Sequence, residues 1–133
     1  MSIFDDLESE LARWHSEGLT PRFWLRDDDA VRPTQALDRL LGLVDAYEVP
    51  LLLAVVPVGA TEALAERIGG HKLVTPAVHG YAHRRHTPDG VLAMELGGER
   101  SVEETLAELK AGRAKLHRLF GGRVSGILGP PWN

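Results

Sequence analysis

A chain of 133 residues is long enough for one small domain, and we expect a single domain over residues 1–133. Its content of 44% hydrophobic and 26% charged residues is typical of a soluble globular protein. The net charge of -4 and the lack of basic runs argue against nucleic acid or an anionic membrane as the main partner, and the absence of cysteine excludes disulfides and thiolate metal ligands.

The N-terminal half alternates helical and strand patterns. Residues 2–17 predict an amphipathic helix, and residues 22–26 predict the first strand. Thr34 is placed to cap a second helix, and Thr61 is placed to begin a short third one. Residues 51–56 are continuously apolar, which is typical of a strand buried on both faces of a parallel sheet.

The C-terminal half continues the same alternation. Residues 72–78 predict a third strand, and residues 124–128 predict a fourth. Between them, residues 87–100 are polar and contain glycine, and this length is unusual for a loop in a compact domain, which indicates a rim or lid element. Ser101 and Glu104 form a capping-box pattern at the start of a long helix. The order of elements predicts an α/β fold with about four parallel strands and flanking helices.

Two histidines follow the predicted third strand at a spacing of four residues. If the chain is helical there, His79 and His83 lie on one face, close enough to hold one ion. Imidazole is a common neutral metal ligand, and zinc binds it readily. Two histidines do not complete a site, so a third ligand has to come from elsewhere in the chain.

Three consecutive acids, Asp27, Asp28 and Asp29, follow the predicted first strand and are the obvious donors. Their mutual repulsion would be offset by a divalent cation. In parallel α/β folds, ligands bind at the carboxyl ends of the strands, where the histidines and residues 130–133 are also expected. The coincidence of three unusual clusters at one edge therefore favours a metal site.

Each cluster also has a simpler explanation. An aspartate triplet often forms a turn and a helix cap, and paired histidines occur by chance on helix surfaces. The triplet could also hold two ions, as in other metal-dependent hydrolases. We expect the remaining histidines to lie at the surface or beside the site rather than in it.

Three motifs, in this order, resemble the polysaccharide deacetylases of the NodB-homology type, carbohydrate esterase family 4 (CE4). They are Asp27-Asp28 after an apolar strand, the segment from His79 to His83 with Gly-Tyr-Ala between, and Pro130-Pro131-Trp132. The resemblance covers nearly the whole chain but only the N-terminal part of the family's domain. It implies a partial, incomplete βα barrel and a hydrolase that removes acetyl groups.

The resemblance implies a role for each matched residue. Asp27 would be the general base that activates water, and the metal ligands would be Asp28, His79 and His83. The metal would be divalent, and it is usually zinc in that family.

The resemblance also implies a substrate and the residues that contact it. Trp132, Pro131 and Tyr81 would bind an acetylated carbohydrate or a similar small molecule, whose amide or ester is hydrolysed.

The acidic N-terminus lacks an apolar signal core, so we expect a cytoplasmic protein. No nucleic acid or membrane partner is expected.

The sequence departs from the family pattern at two motif positions. Asp29 stands where the family usually has glycine, and Gly129 stands where it usually has an arginine that helps to position the base. The family's later motifs, including one that supplies a catalytic histidine, do not occur in these 133 residues.

Four strands cannot close a barrel, so this arrangement would expose sheet edges. We therefore expect a homodimer that covers those edges. The alternative function is a catalytically inactive half-barrel that binds metal or carbohydrate and assembles as a dimer.

Overall fold

The computed structural model describes residues 2–132 and has a parallel sheet of three strands. The strands are β1 (Leu25–Ala30), β2 (Leu51–Val55) and β3 (Val74–Val78), in the order β1-β2-β3. The helices are α1 (Asp5–Ser16), α2 (Gln35–Tyr47), α3 (Glu62–Ile68) and α4 (Val102–Phe120), with a 3₁₀ turn at Gly121–Arg123. The predicted α/β class is confirmed.

The apolar central strand organises the core. Leu51, Leu53 and Val55 of β2 are all buried, as the continuous apolar run predicts. They pack in one cluster with buried residues of the flanking helices, among them Leu64 of α3 and Leu116 of α4. Burial of such side chains contributes about 1.5–3 kcal/mol each. This core fixes the strand ends that carry the polar clusters.

Local capping explains where the helices begin. The Thr34 hydroxyl accepts a hydrogen bond from the amide of Leu37, and Thr61 does the same for Leu64. Ser101 and Glu104 form the predicted capping box.

Of the described residues, no helix has both the length and the apolar character needed to cross a membrane.

The first strand differs from its prediction. It runs over Leu25–Ala30 rather than residues 22–26, so the aspartates lie within it instead of after it. Asp27 pairs with Leu53 and Ala30 with Val55, which leaves two residues of β1 opposite one residue of β2. This irregularity is a bulge at the carboxyl end of the strand, and Asp29 within it has a positive φ of 67°.

The histidine segment also differs from its prediction. Residues 79–86 form an irregular loop rather than a helix. Gly80 and His83 have φ values of 60° and 52°, which no α-helix contains. Residues 87–100 form no helix or strand either, and their role as a rim or lid element stays a prediction.

The predicted fourth strand is present only in part. An isolated parallel bridge joins Leu128 to Val78, and the amide of Ser125 donates to the carbonyl of Pro76 at 2.7 Å. The amide of Ile127 donates to the Ser125 hydroxyl, so it is diverted from a regular ladder. The segment therefore runs beside β3 without becoming a full strand.

The sheet stays open, as expected for a partial barrel. Three strands cannot close on themselves, and β1 forms one edge. Phe23 and Trp24, just before β1, are 74% and 67% exposed. The open side thus presents large apolar side chains to solvent.

The Arg123 guanidinium links the segment after α4 to the connection between α3 and β3. Its Nη1 and Nη2 donate to four carbonyl oxygens, those of Ile68, Gly69, His71 and Val74. Because the donor is charged, these hydrogen bonds are stronger than those between neutral groups, and most of them are partly buried. This contact fixes the path that leads to Gly129.

We expect Arg123→Ala to lower the free energy of unfolding by about 2–4 kcal/mol, because four carbonyls lose their donor together. Urea unfolding would measure the change. Arg118→Ala, an exposed substitution on α4, is the control and should change the stability by less than about 0.5 kcal/mol. Equal stability of the two variants would show that the Arg123 hydrogen bonds contribute little.

Candidate metal centre

Three side chains converge at the carboxyl ends of β1 and β3. The Oδ1 atom of Asp29 lies 3.1 Å from Nε2 of His79 and 3.0 Å from Nε2 of His83. The two imidazole rings are 5.4 Å apart between centroids, with planes tilted by 44°. One ligand atom of each residue lies within 4.8 Å of the others. The group is therefore compact enough to hold one ion.

The donor set and its spacing fit a divalent metal. Zinc bonds of roughly 2.0–2.2 Å place tetrahedral ligand atoms about 3.3 Å from one another. The two nitrogen–oxygen distances are close to that value. Two imidazoles and one carboxylate also leave a coordination position open, as catalytic zinc sites require.

His79 is held in one orientation before any ion arrives. It is 2% exposed, and its Nδ1 lies 2.8 Å from the carbonyl oxygen of Gly129. Because a carbonyl can only accept, Nδ1 carries the proton and donates it. In the neutral ring, Nε2 is then the nitrogen that offers a lone pair to a metal, and it faces Asp29.

The loop that carries His83 is bent around a buried carboxylate that the sequence analysis missed. Glu95 is 1% exposed and accepts hydrogen bonds from the amides of Tyr81, Ala82 and Arg84. These bonds bend the loop around the carboxylate and replace the helical bonds expected there. The only sequence signal was an acid between two apolar residues, Met94 and Leu96, inside a polar segment.

Glycine is required at position 80 of this loop. Its φ is 60°, and a Cβ there would lie 1.8 Å from Oε2 of Glu95 and 2.7 Å from Pro131. Both the backbone and the space therefore exclude a side chain. The close approach of Glu95 depends on that glycine.

Asp28 lies apart from the two histidines, and its ligand role stays a prediction. It lines the same pocket, but its carboxylate pairs with Arg26, at 2.8 Å from Nε to Oδ1 and 2.8 Å from Nη2 to Oδ2. Asp29, rather than Asp28, lies with the two histidines. Successive side chains of a strand point in opposite directions, and the bulge with its positive φ at Asp29 re-aims the last carboxylate.

Asp27 lies elsewhere. Of the described residues, six line the histidine pocket, and Asp27 is not among them. It lines a neighbouring groove against α2, with Thr34 and Leu37. This placement gives no support to the catalytic role predicted for Asp27, which stays a prediction.

The three predicted substrate-binding residues are separated by the fold. The Trp132 ring lies 4.4 Å from that of His83 and lines the pocket. Pro131 packs beneath Gly80 and lines an adjoining groove. Tyr81 directs its ring towards Gly112 of α4, where Cδ2 would lie 3.2 Å from an added Cβ. The contact roles of all three stay predictions.

Unusual backbone conformations concentrate at this pocket. Among the described residues other than glycine, four have positive φ, and three of those line it. These three are Asp29 at 67°, His83 at 52° and Trp132 at 55°. Such conformations are costly and persist where the surrounding structure enforces them, often at functional sites.

Two solved structures have a similar backbone. The Xyl-CE4 domain of a multidomain xylanase from the hindgut metagenome of Trinervitermes trinervoides matches with a TM-score of 0.61 and 17% identity, over 82% of this chain and 47% of that one. A Streptococcus mutans CE4 esterase matches with a TM-score of 0.62 and 16% identity, over 81% of this chain and 44% of that one. The chain has a CE4-like fold.

The CE4-like fold confirms the predicted partial βα barrel. The chain spans less than half the length of both solved chains that it matches. No protein-family model and no curated protein matches the sequence. At this low identity the likeness establishes the backbone arrangement, and the chemistry has to be argued from the side chains.

We expect Glu95→Gln to weaken zinc binding by about 10–100-fold, because the amide nitrogen of glutamine cannot accept a hydrogen bond from the loop amides. Competition with a chromophoric chelator would measure the affinity. Glu99→Gln, in the same segment but exposed, is the matched control. Equal affinities in the two variants would show that Glu95 does not position His83.

Desolvation raises the pKa of Asp27 above its ordinary 3.8, and the charges of Asp28 and Asp29 raise it further. The folded state therefore binds the Asp27 proton more tightly than the unfolded chain does. It follows that this residue's contribution to stability is favourable at low pH and is lost as the pH rises through the raised pKa.

We expect Asp27→Asn to raise the free energy of unfolding near neutral pH by up to about 1 kcal/mol. The gain should disappear below pH 3.8, where both states hold the proton in the wild type. Urea unfolding of metal-free protein at several pH values would measure it, with exposed Glu66→Gln as control. A gain that grows on acidification would contradict this account.

Proposed function

We propose that this chain is a divalent-metal-dependent hydrolase of the deacetylase type. Its substrate would be an amide or ester of an acetylated carbohydrate or a similar small molecule. The observation that carries the proposal is the convergence of Asp29, His79 and His83 at the strand ends of a CE4-like fold. One of the two similar structures is an esterase and the other a domain of a xylanase, which supports acyl hydrolysis on sugars.

The side chains supply the parts that this chemistry needs. A divalent ion held by the three residues would polarise the substrate carbonyl and acidify a water molecule. His79 presents Nε2 in a fixed direction because Gly129 accepts its Nδ1 proton. A carboxylate must then accept a proton from the attacking water. Asp27 was predicted for this step, and Asp28 is the acid that lines the pocket beside the metal group.

The pocket wall favours a sugar as the acyl carrier. Trp132 is 40% exposed and lies beside His83, so part of its ring is open to a ligand. Aromatic rings offer a flat apolar face with little conformational freedom to lose on binding. A sugar ring stacked there would hold its acetyl group near the metal group.

The metal is proposed to be zinc, on the basis of the donor set. Two neutral imidazoles suit zinc, whereas magnesium and calcium prefer oxygen ligands throughout. The cytoplasmic location and the homodimer stay predictions. The exposed Phe23 and Trp24 at the open sheet edge support a covering partner of some kind.

We expect His79→Ala and His83→Ala each to reduce bound zinc to near background, because only two ligands would remain. Elemental analysis after gel filtration would measure the metal content. His15→Ala, on the exposed face of α1, is the matched control and should retain zinc. Unchanged zinc in both site variants would remove the metal centre.

The same variants test the reaction. Zinc-loaded wild type should release acetate from N-acetylated or O-acetylated sugars, and release should stop when a chelator removes the zinc. Both histidine variants should be inactive under these conditions, whereas His15→Ala should match the wild type. Acetate release that persists without zinc would contradict a metal-dependent hydrolase.

A further inference from the structure

We propose that Arg26 is a positioning residue that holds Asp28 as the general base, while Asp29 supplies the metal ligand. The inference rests on the proposed hydrolase function. In this arrangement the acidic triplet acts one residue later than the family resemblance implies. The arginine expected at position 129 is replaced by one from β1.

The first support is the geometry of the Arg26–Asp28 pair. The guanidinium Nη2 donates a hydrogen bond to Oδ2 at 2.8 Å. Nε lies 2.8 Å from Oδ1, which is buried and accepts no hydrogen bond from the described residues. The side chains are 26% and 33% exposed, and both line the histidine pocket. One charge-assisted hydrogen bond and one close charged contact hold the carboxylate in place, while Oδ1 keeps its lone pairs for the proton of a water molecule.

The second support is the space beside Gly129. A Cβ on Gly129 would lie 3.6 Å from Nη1 of Arg26 and 3.8 Å from Nδ1 of His79. The guanidinium of Arg26 therefore lies where a side chain from position 129 would enter the site. A positive charge is therefore kept beside position 129, but it is supplied by Arg26 of β1, on the opposite wall of the pocket.

The third support is the backbone at Asp29. Its φ of 67° is a conformation that favours glycine, and aspartate tolerates it better than most residues. The family resemblance expects glycine here. In this chain the same backbone carries a carboxylate, and its Oδ1 contacts both histidines. Asp28 is thereby released from the ligand role.

The reaction balances with these residues. Asp28 takes one proton from water, and the water oxygen forms a bond to the acetyl carbon. The bond from that carbon to the amine or alcohol then breaks, and the leaving group departs with the proton from Asp28. The other product is acetic acid, which gives its remaining proton to the amine or to solvent and becomes acetate. No oxidant or reductant is needed. Arg26 stays protonated throughout.

Zinc affinity separates the two aspartates. With zinc alone as the probe, Asp29→Asn should weaken binding by more than about 100-fold, whereas Asp28→Asn should change it by less than about threefold. Asp38→Asn is the matched control, since Asp38 forms a similar pair with Arg67 on the surface, at 2.7 Å. A loss in Asp28→Asn as large as that in Asp29→Asn overturns the shifted assignment.

The arginine pair has a readout that needs no activity. The Nε–H resonance of Arg26 should move in Asp28→Asn and stay in place in Asp27→Asn and Asp38→Asn. The reverse pattern overturns the pairing. If the histidine variants retained zinc, the hydrolase proposal would fail, yet this resonance would still decide whether Arg26 holds Asp28.

The catalytic part is tested with zinc-loaded protein and p-nitrophenyl acetate. Asp28→Asn should lower kcat by about 10²–10⁴-fold, and Arg26→Ala by about 10–100-fold, both with zinc affinity kept. Adding Gly129→Arg to Arg26→Ala should restore most of the rate, because arginine can enter from the other wall. A double variant no better than Arg26→Ala, or a zinc-loaded wild type without esterase activity, overturns the positioning role.

Discussion

The parallel pairing of β1 and β3 on either side of β2 is the constraint on which the site depends. It brings the carboxyl ends of two strands, about 50 residues apart in sequence, to one edge of the sheet. Only there can Asp29 reach His79 and His83 with a single carboxylate oxygen. The buried apolar strand β2 fixes the distance between the Asp29 side and the histidine side of the site. It therefore matters more for the geometry of the site than any single polar residue.

Features that depend on local sequence could be predicted. The caps at Thr34 and Thr61 require only a hydroxyl beside a free amide. The burial of four of the five residues of β2 follows from its unbroken apolar run. The alternation of these elements then leaves few topologies. For the same reason the two histidines and an aspartate could be expected to meet at one edge of the sheet.

Features that depend on contacts distant in sequence could not be predicted. Whether Asp28 or Asp29 faces the histidines depends on a bulge, and a shift of one residue in a strand reverses every side chain. His79 and His83 have the spacing of a helix, but Glu95, more than ten residues later, accepts hydrogen bonds from the backbone amides of this loop. No sequence pattern within the loop predicts that Glu95 is its hydrogen-bond partner.

The two histidines and the aspartate differ in how firmly they are held. His79 is buried against the Gly129 carbonyl, and the loop that carries His83 is bent around a buried carboxylate. Asp29 is 63% exposed and sits on a bulged strand end. An ion would thus meet two imidazoles that need little ordering, and the entropy lost on binding would fall mainly on one short side chain. The loop that follows β3 therefore carries the fixed part of the site, and the bulged end of β1 carries the adjustable carboxylate.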